Sequence, residues 1–155
     1  MIVFFTFNST ALQYGAYENV QLAQTLDEIH SCKIDGYIES DNIPENLKGK
    51  IIIYFKYGCP DCSAIHDSLF EYIKQYGVKD IYFVSSRSDK GKKLIKQYPV
   101  DEVPAGVYVR NKKSNISDMY VEILYIKYQT ETGKDATEFN KDGFYHLLNC
   151  QTRKE

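Results

Sequence analysis

Residues 51–62 read IIIYFKYGCPDC, an apolar run that ends in two cysteines separated by two residues. The β-branched and aromatic residues over 51–57 predict a strand that is buried on both faces of a sheet. Gly58 ends that run, and Pro60 suits the first turn of a helix because its missing N–H is not needed there. The stretch therefore predicts a central strand, a turn, and a helix that begins at the cysteines.

The predicted helix covers residues 60–76, where apolar residues recur at helical spacing. Gly77 is a natural helix end. The apolar stripe before it comprises Ile65, Leu69, Tyr72, Ile73 and Tyr76. On this stripe Cys62 is expected to face inward, whereas Cys59, at the turn, is expected to face solvent. An exposed attacking thiol and a shielded resolving thiol suit dithiol exchange.

A C-x-x-C pair at a strand-to-helix junction favours redox chemistry. Such a pair can form and break a disulfide with little backbone movement. A thiol at a helix N-terminus lies near unpaired N–H groups and the positive end of the helix dipole, which favour the thiolate. The thiolate is the species that attacks disulfides. We therefore expect Cys59 to attack and Cys62 to resolve.

The composition is that of a globular protein of 155 residues with a formal net charge of −2 at pH 7. This length suits a single domain over 1–155, with an N-terminal part over 1–49 and a core over 50–150. The charge gives no electrostatic reason to expect nucleic acid as a partner. The 14 tyrosines are typical of core and strand positions, and we expect a monomer.

Residues 1–8 are apolar and predict a first strand. They lack a basic segment and therefore do not fit a signal peptide. This favours a cytoplasmic protein. The alternative is that they are the end of an anchor helix whose upstream part is missing, which would place the protein outside the cytoplasm on a membrane.

The rest of the chain alternates between predicted strands and helices. In the N-terminal part, a helix is predicted over 17–31 and a polar connector over 35–50. The later predicted elements are a strand over 80–85, a short helix capped by Ser88 or Asp89, strands over 106–110 and 119–128, and a last helix over 142–149. Since a β-α-β unit implies a parallel pair, this order predicts an α/β protein, with three α/β/α layers around a mixed central sheet.

The chain resembles the thioredoxin-fold family over residues 50–150. The likeness is carried by the CPDC motif at 59–62 after a hydrophobic strand, and by Val103-Pro104 at the start of a later strand. Family members have a cis-proline beside the dithiol. The resemblance therefore implies that Pro104 is cis and that the Val103 backbone pairs with a bound substrate strand.

The same resemblance implies a thiol-disulfide oxidoreductase that acts on protein disulfides. No cofactor is expected beyond the cysteine pair, and the redox partner would be a thioredoxin reductase or a membrane electron carrier. The chain departs from thioredoxins at Gly58, where they usually have tryptophan, and at Ile53, where they usually have a buried aspartate that moves the thiol proton. These departures favour the alternative of a non-catalytic interaction module with the same fold.

Acidic residues are expected to surround the Cys59 sulfur. Asp61 lies inside the motif, and the resemblance brings Asp101 and Glu102 to the same surface. A like charge disfavours the ionised thiol, so Asp61 and Glu102 are expected to tune the site, with a Cys59 pKa of ~8 rather than ~4. A less stable thiolate makes the disulfide harder to reduce, which favours a reductase.

Zinc binding is an alternative role for the motif, because His66 follows Cys62 by one helical turn. The sequence has no second C-x-x-C or histidine pair to complete such a site, so no metal is expected. A purely structural disulfide between Cys59 and Cys62 is another alternative. Cys32 and Cys150 lie outside the motif and are expected to be thiols, with a second disulfide between them as the alternative.

Overall fold

The computed structural model describes residues 31–34, 37–40, 43–76, 80–110 and 118–153. The predicted strand over 1–8 and most of the predicted helix over 17–31 lie outside these residues. The described part of the N-terminal region forms an antiparallel hairpin of β1 (Ser31–Ile34) and β2 (Tyr37–Ser40).

The central sheet has four strands in the spatial order β4-β3-β5-β6. The strands are β3 (Ile51–Phe55), β4 (Ile81–Ser85), β5 (Ala105–Val109) and β6 (Met119–Ile123). β3 is parallel to β4 and antiparallel to β5, and β6 is antiparallel to β5. The predicted α/β class with a mixed central sheet is therefore confirmed.

The prediction of a connector over 35–50 is wrong at its start, because residues 37–40 form β2. The predicted helix end at Ser31 is also wrong, since Ser31 begins β1. The reason is tertiary. Ser40 is buried, and its Oγ accepts a hydrogen bond of 2.8 Å from the backbone N–H of Phe83 in β4, a contact that the polar local sequence does not reveal.

Three helices form in the described part of the chain: α1 (Pro60–Tyr76), α2 (Asp89–Gln97) and α3 (Lys141–Thr152). Ser88 caps α2, because its Oγ accepts from the Gly91 N–H over 2.9 Å, as one of the two predicted caps should. Asn140 caps α3 in the same way, through the N–H of Gly143 at 3.0 Å. None of these described helices combines the length and the apolar character needed to cross a membrane.

The helices cover both faces of the sheet. On one face Ile51, Ile53 and Phe55 pack with the apolar residues of α1 and α3. On the other face Ile52 and Tyr54 pack with residues that include Leu94 of α2. Since successive residues of a strand face opposite sides, a strand buried on both faces reads as a continuous apolar run. The run at 51–55 is accordingly buried at all five positions, directly before the turn that leads to the cysteines.

A second hairpin follows the central sheet, formed by β7 (Tyr125–Gln129) and β8 (Asp135–Phe139). The predicted partner strand over 119–128 is confirmed in its first half, where β6 pairs antiparallel with β5, but its predicted extent is wrong. It divides at Leu124, which is fully buried; its N–H donates to the carbonyl of Pro104 and its carbonyl accepts from the N–H of Asn140, both over 3.0 Å. Leu124 thus links β6 and the second hairpin, since it is bonded both to the residue before β5 and to the residue after β8.

Candidate functional site

The two cysteines of the motif are joined by a disulfide at the start of α1. Their Cα atoms lie 5.2 Å apart, within the usual range for a disulfide. Gly58 has a φ of 73°, a left-handed conformation that glycine adopts without a steric penalty, and this turns the chain from β3 into the helix. The backbone N–H of Cys62 donates to Cys59 Sγ over 3.1 Å. After reduction, the same N–H would be placed to donate to a Cys59 thiolate.

Both cysteines are buried in this oxidised state, with 3% exposure at Cys59 and 5% at Cys62. The expectation that Cys59 faces solvent is therefore wrong. The physical reason is the segment before β5, which packs against the sulfur and brings the Val103 carbonyl oxygen to 3.9 Å from Cys59 Sγ.

The cysteines differ instead in the space that they border. Cys59 lines an open cleft of about 540 Å³. Cys62 lines a cavity of about 30 Å³ whose other walls include the apolar side chains of Ile65, Leu69 and Phe83. A reactant that approaches through the cleft therefore meets the Cys59 side of the disulfide.

The peptide bond between Val103 and Pro104 is cis, as the family resemblance implied. Pro104 is buried and lines the small cavity beside Cys62. Val103 lines the open cleft beside Cys59. The structure thus brings both residues of this pair next to the disulfide, although they lie more than 40 positions further along the chain.

Asp61 has two partners that the sequence analysis missed, and both come from the second hairpin. Its Oδ1 accepts a hydrogen bond of 3.0 Å from the Thr137 hydroxyl, and its Oδ2 lies 3.3 Å from Lys127 Nζ. The expectation that acidic residues surround the Cys59 sulfur is therefore incomplete, because a cation lies beside one of them. The positive charge of Lys127 partly cancels the negative charge of the Asp61 carboxylate inside the motif.

Glu102 is also held by the hairpin. The Tyr125 hydroxyl donates to Glu102 Oε2 over 2.5 Å. This hydrogen bond, with a further contribution from burial, raises the pKa of Tyr125 to about 12. The phenol therefore stays protonated and keeps donating to the carboxylate throughout the neutral pH range.

The open cleft has nearly balanced charge. Its lining carries three carboxylates and two ammonium groups, which gives a formal charge of −1. The titratable side chains along it are those of Lys56, Asp61, Asp101, Glu102, Tyr125 and Lys127. A thiolate formed at Cys59 would therefore experience both signs of charge within one cleft.

The zinc alternative receives no support from the described residues, which contain no cluster of three or more His, Cys, Asp or Glu side chains able to hold a metal ion. His66 packs instead against the Phe70 ring, with ring centroids 4.8 Å apart. Cys150 is half-buried in α3, and the side chain of Cys32 lies outside the described part. The prediction that both are thiols, and the alternative of a disulfide between them, therefore stay predictions.

Comparison with known proteins finds no family model, no curated protein and no solved structure that matches the chain. The fold and the site together define an α/β protein that carries a disulfide-bonded C-x-x-C pair at a helix N-terminus beside a cis-proline. The case for its function therefore rests on the chemistry of these groups.

Proposed function

We propose that this protein is a thioredoxin-like thiol-disulfide oxidoreductase that reduces protein disulfides. The observation that carries the proposal is the Cys59–Cys62 disulfide at the N-terminus of α1, with the cis Val103–Pro104 bond beside it. A mixed sheet with helices on both faces is compatible with the thioredoxin-fold resemblance. The proposed compartment is the cytoplasm, where dithiol reductants keep such pairs reduced.

The proposed reaction begins with the reduced protein, a Cys59 thiolate and a Cys62 thiol. Cys59 Sγ attacks one sulfur of the substrate disulfide, which forms a mixed disulfide and releases the other substrate sulfur as a thiolate that takes up a proton. Cys62 then loses its proton and attacks Cys59 Sγ, which restores the Cys59–Cys62 disulfide and releases the second substrate thiol. Two electrons pass to the substrate. A dithiol donor, which is a thioredoxin reductase or a membrane electron carrier, then reduces the Cys59–Cys62 disulfide again.

The cleft gives a route for the substrate to Cys59. Val103 lines it, with its carbonyl oxygen 3.9 Å from the sulfur. We propose that an extended substrate segment pairs with the Val103 backbone, because strand-like pairing supplies hydrogen bonds without requiring a particular sequence. Pro104 supports this arrangement, since it has no N–H of its own and fixes the direction in which the Val103 carbonyl points.

The reductase direction is proposed from the charge inside the motif. Asp61 places a carboxylate rather than a cation between the two cysteines, and a carboxylate disfavours a neighbouring thiolate. A less stabilised thiolate makes the reduced state less stable, so the disulfide is harder to reduce. We expect a midpoint potential at or below about −230 mV at pH 7, which lies in the range of the reducing dithiol–disulfide proteins.

A second candidate is a binding module with the same fold and no turnover. The burial of Cys59 favours it, because a residue that is only 3% exposed has limited direct contact with a folded substrate. Reduction of insulin by dithiothreitol separates the two candidates. The wild-type protein should accelerate insulin precipitation at least several-fold over the Cys59→Ser/Cys62→Ser control. Equal rates for the two proteins would favour the binding module and reject the enzyme.

A further inference from the structure

The second hairpin connects the two halves of the site. At its base, Leu124 is hydrogen-bonded to the carbonyl of Pro104. Along its length, β8 packs against α1, and side chains of both strands contact the acidic residues of the site: Tyr125 with Glu102, and Lys127 and Thr137 with Asp61. In the described part of the chain, β7 and β8 pair only with each other. The hairpin adds nothing to the central sheet, so its contacts with the site need a separate explanation.

Strand alternation selects which side chains of β7 face the site. Residues two apart in a strand share a face. Tyr125 and Lys127 therefore face the cleft and line it together with Cys59. Ile126 and Tyr128 do not line this cleft, and both are exposed. The only charged residue that β7 contributes is thus placed at the redox site.

Lys127 occupies a position between the motif and solvent. Its Nζ lies 3.3 Å from Asp61 Oδ2 and 5.6 Å from the centroid of the Tyr125 ring. The Lys127 side chain is 64% exposed and that of Asp61 is 21% exposed. An ion pair with this exposure contributes little to folding stability. We therefore expect the Lys127 charge to affect the chemistry of the cleft more than the stability of the fold.

We propose that Lys127 is a positioning residue of the redox reaction, through which the hairpin raises the stability of the Cys59 thiolate. This deepens the proposed function and rests on it. When reduction opens the disulfide, the Cys59 thiol loses a proton to solvent and a negative charge appears in the cleft that Lys127 lines. The ammonium favours that charge directly and also cancels the opposing field of Asp61.

Other charged groups from each neighbouring element line the cleft that Cys59 borders. Asp61 lies on α1, Lys56 follows β3, and Asp101 and Glu102 precede β5. Glu102 is engaged by Tyr125. His66 is on α1, but it borders the Cys62 side of the site rather than the cleft. Of the two ammonium groups that line the cleft, that of Lys127 forms an ion pair with the motif, through Asp61.

The test is the pKa of Cys59 in the reduced full-length protein. Alkylation by iodoacetamide is followed from pH 5 to 10 by mass spectrometry of the peptide that contains Cys59. Lys127→Met should raise the pKa by about half a unit to one unit, a threefold to tenfold loss of thiolate at neutral pH. Lys127→Arg keeps the charge and should stay close to the wild type.

Lys134→Met is the matched control. Lys134 is an exposed residue in the turn of the same hairpin, and it does not line the cleft. Its substitution removes the same charge from the same hairpin and should leave the pKa of Cys59 unchanged. Equal pKa values for Lys127→Met and the wild type, or an equal shift in Lys134→Met, would overturn the proposal.

The midpoint potential gives an independent readout that a merely structural role would not move. At pH 9, Lys127→Met should destabilise the reduced form about threefold to fivefold, which is about 15 to 20 mV at ~30 mV per factor of ten. The same substitution in an Asp61→Asn background should still raise the Cys59 pKa, because the ammonium acts on the thiolate itself. No effect in that background would refute a direct role.

Failure of this inference and failure of the proposed function give different results. The alkylation profile needs only reduced protein, so it measures the effect of Lys127 whether or not insulin is reduced. Normal insulin reduction with identical profiles for wild type and Lys127→Met refutes the inference and leaves the function standing. A shifted profile without insulin reduction supports the electrostatic effect and refutes the enzyme.

Discussion

Asp61→Asn isolates the contribution of the motif carboxylate to the redox chemistry. The amide has the size of the carboxylate, and its oxygen can still accept the hydrogen bond from the Thr137 hydroxyl. The substitution removes the ion pair with Lys127 and leaves its ammonium in the lining of the cleft that Cys59 borders. The formal charge of the cleft lining changes from −1 to 0, since one of its three carboxylates is lost against two ammonium groups.

The expected magnitude follows from the exposure of these groups. Asp61 is 21% exposed and Lys127 is 64% exposed, so solvent screens the field that Asp61 exerts on the sulfur. We expect about 0.7 to 1.4 kcal/mol of added thiolate stability, which lowers the Cys59 pKa by about half a unit to one unit. The loss of the ion pair should cost less than about 1 kcal/mol of folding stability.

The pH of the assay determines whether the effect is visible. A thiol with a pKa of ~8 is mostly protonated at pH 7, so a more stable thiolate changes the midpoint potential there by only a few mV. At pH 9 the reduced form is mostly thiolate, and the midpoint potential should rise by about 15 to 30 mV. Redox titration against dithiothreitol at both pH values measures this difference.

Asp67→Asn is the control for a charge change on the same helix. Asp67 lies on α1, with a side chain that is 67% exposed, and it does not line the cleft. Its substitution should leave the midpoint potential unchanged at both pH values. A potential for Asp61→Asn that equals the wild type at pH 9, or one that falls, would refute the electrostatic explanation of the motif.

Two further predictions concern the hairpin and its contacts. Leu124→Ala should lower the free energy of unfolding by about 2 to 5 kcal/mol in a urea titration, because Leu124 is fully buried. As a control, Ile126→Ala should change it by about 0.5 kcal/mol or less, because Ile126 is 43% exposed. Similar losses in the two variants would contradict the anchoring role of Leu124. The folded-state pKa of Tyr125 is about 12, above the unfolded value of ~10, so its contribution to stability is present below pH 10 and is lost as the pH rises towards 12. Urea titrations from pH 7 to 12 should show a smaller loss over that window in Tyr125→Phe, and the same loss in both proteins would contradict the Tyr125–Glu102 coupling.

The core of the fold is predictable because its signals are local. The apolar run over 51–55, the break at Gly58 and the proline at the first helical position determine β3 and α1, whose bounds agree with the prediction within two residues. The cis bond at Val103–Pro104 is different. An X-Pro bond is usually trans, so the cis state follows from the family resemblance rather than from the local pattern.

The hairpin that completes the site is hidden from local patterns. The residues over 119–128 are apolar or aromatic except Glu122 and Lys127, and no glycine, proline or other turn residue marks Leu124 as the point where the chain leaves the central sheet. β8 reads DATEF and is largely polar, so it lacks the run of β-branched and aromatic residues that usually indicates a strand. Gly133, with a φ of 77° in the turn between the strands, is the one local sign of a hairpin.

The partners of Asp61 could not be predicted for a related reason. Lys127 and Thr137 are distant in sequence, and only the position of the hairpin brings them to the motif. The burial of Cys59 likewise depends on the segment before β5, which packs against the sulfur. The two cysteines proposed to react are thus evident from their spacing, whereas the groups that surround them depend on tertiary contacts.

The central claim is that Cys59 attacks protein disulfides, and the most direct test is to trap the mixed disulfide. Reduced Cys62→Ser protein is mixed with insulin, quenched with acid and analysed by intact mass and peptide mapping. We expect one insulin chain linked through Cys59, and no such adduct in the Cys59→Ser protein. An adduct that forms equally well without Cys59, or no adduct at any time, would contradict the claim.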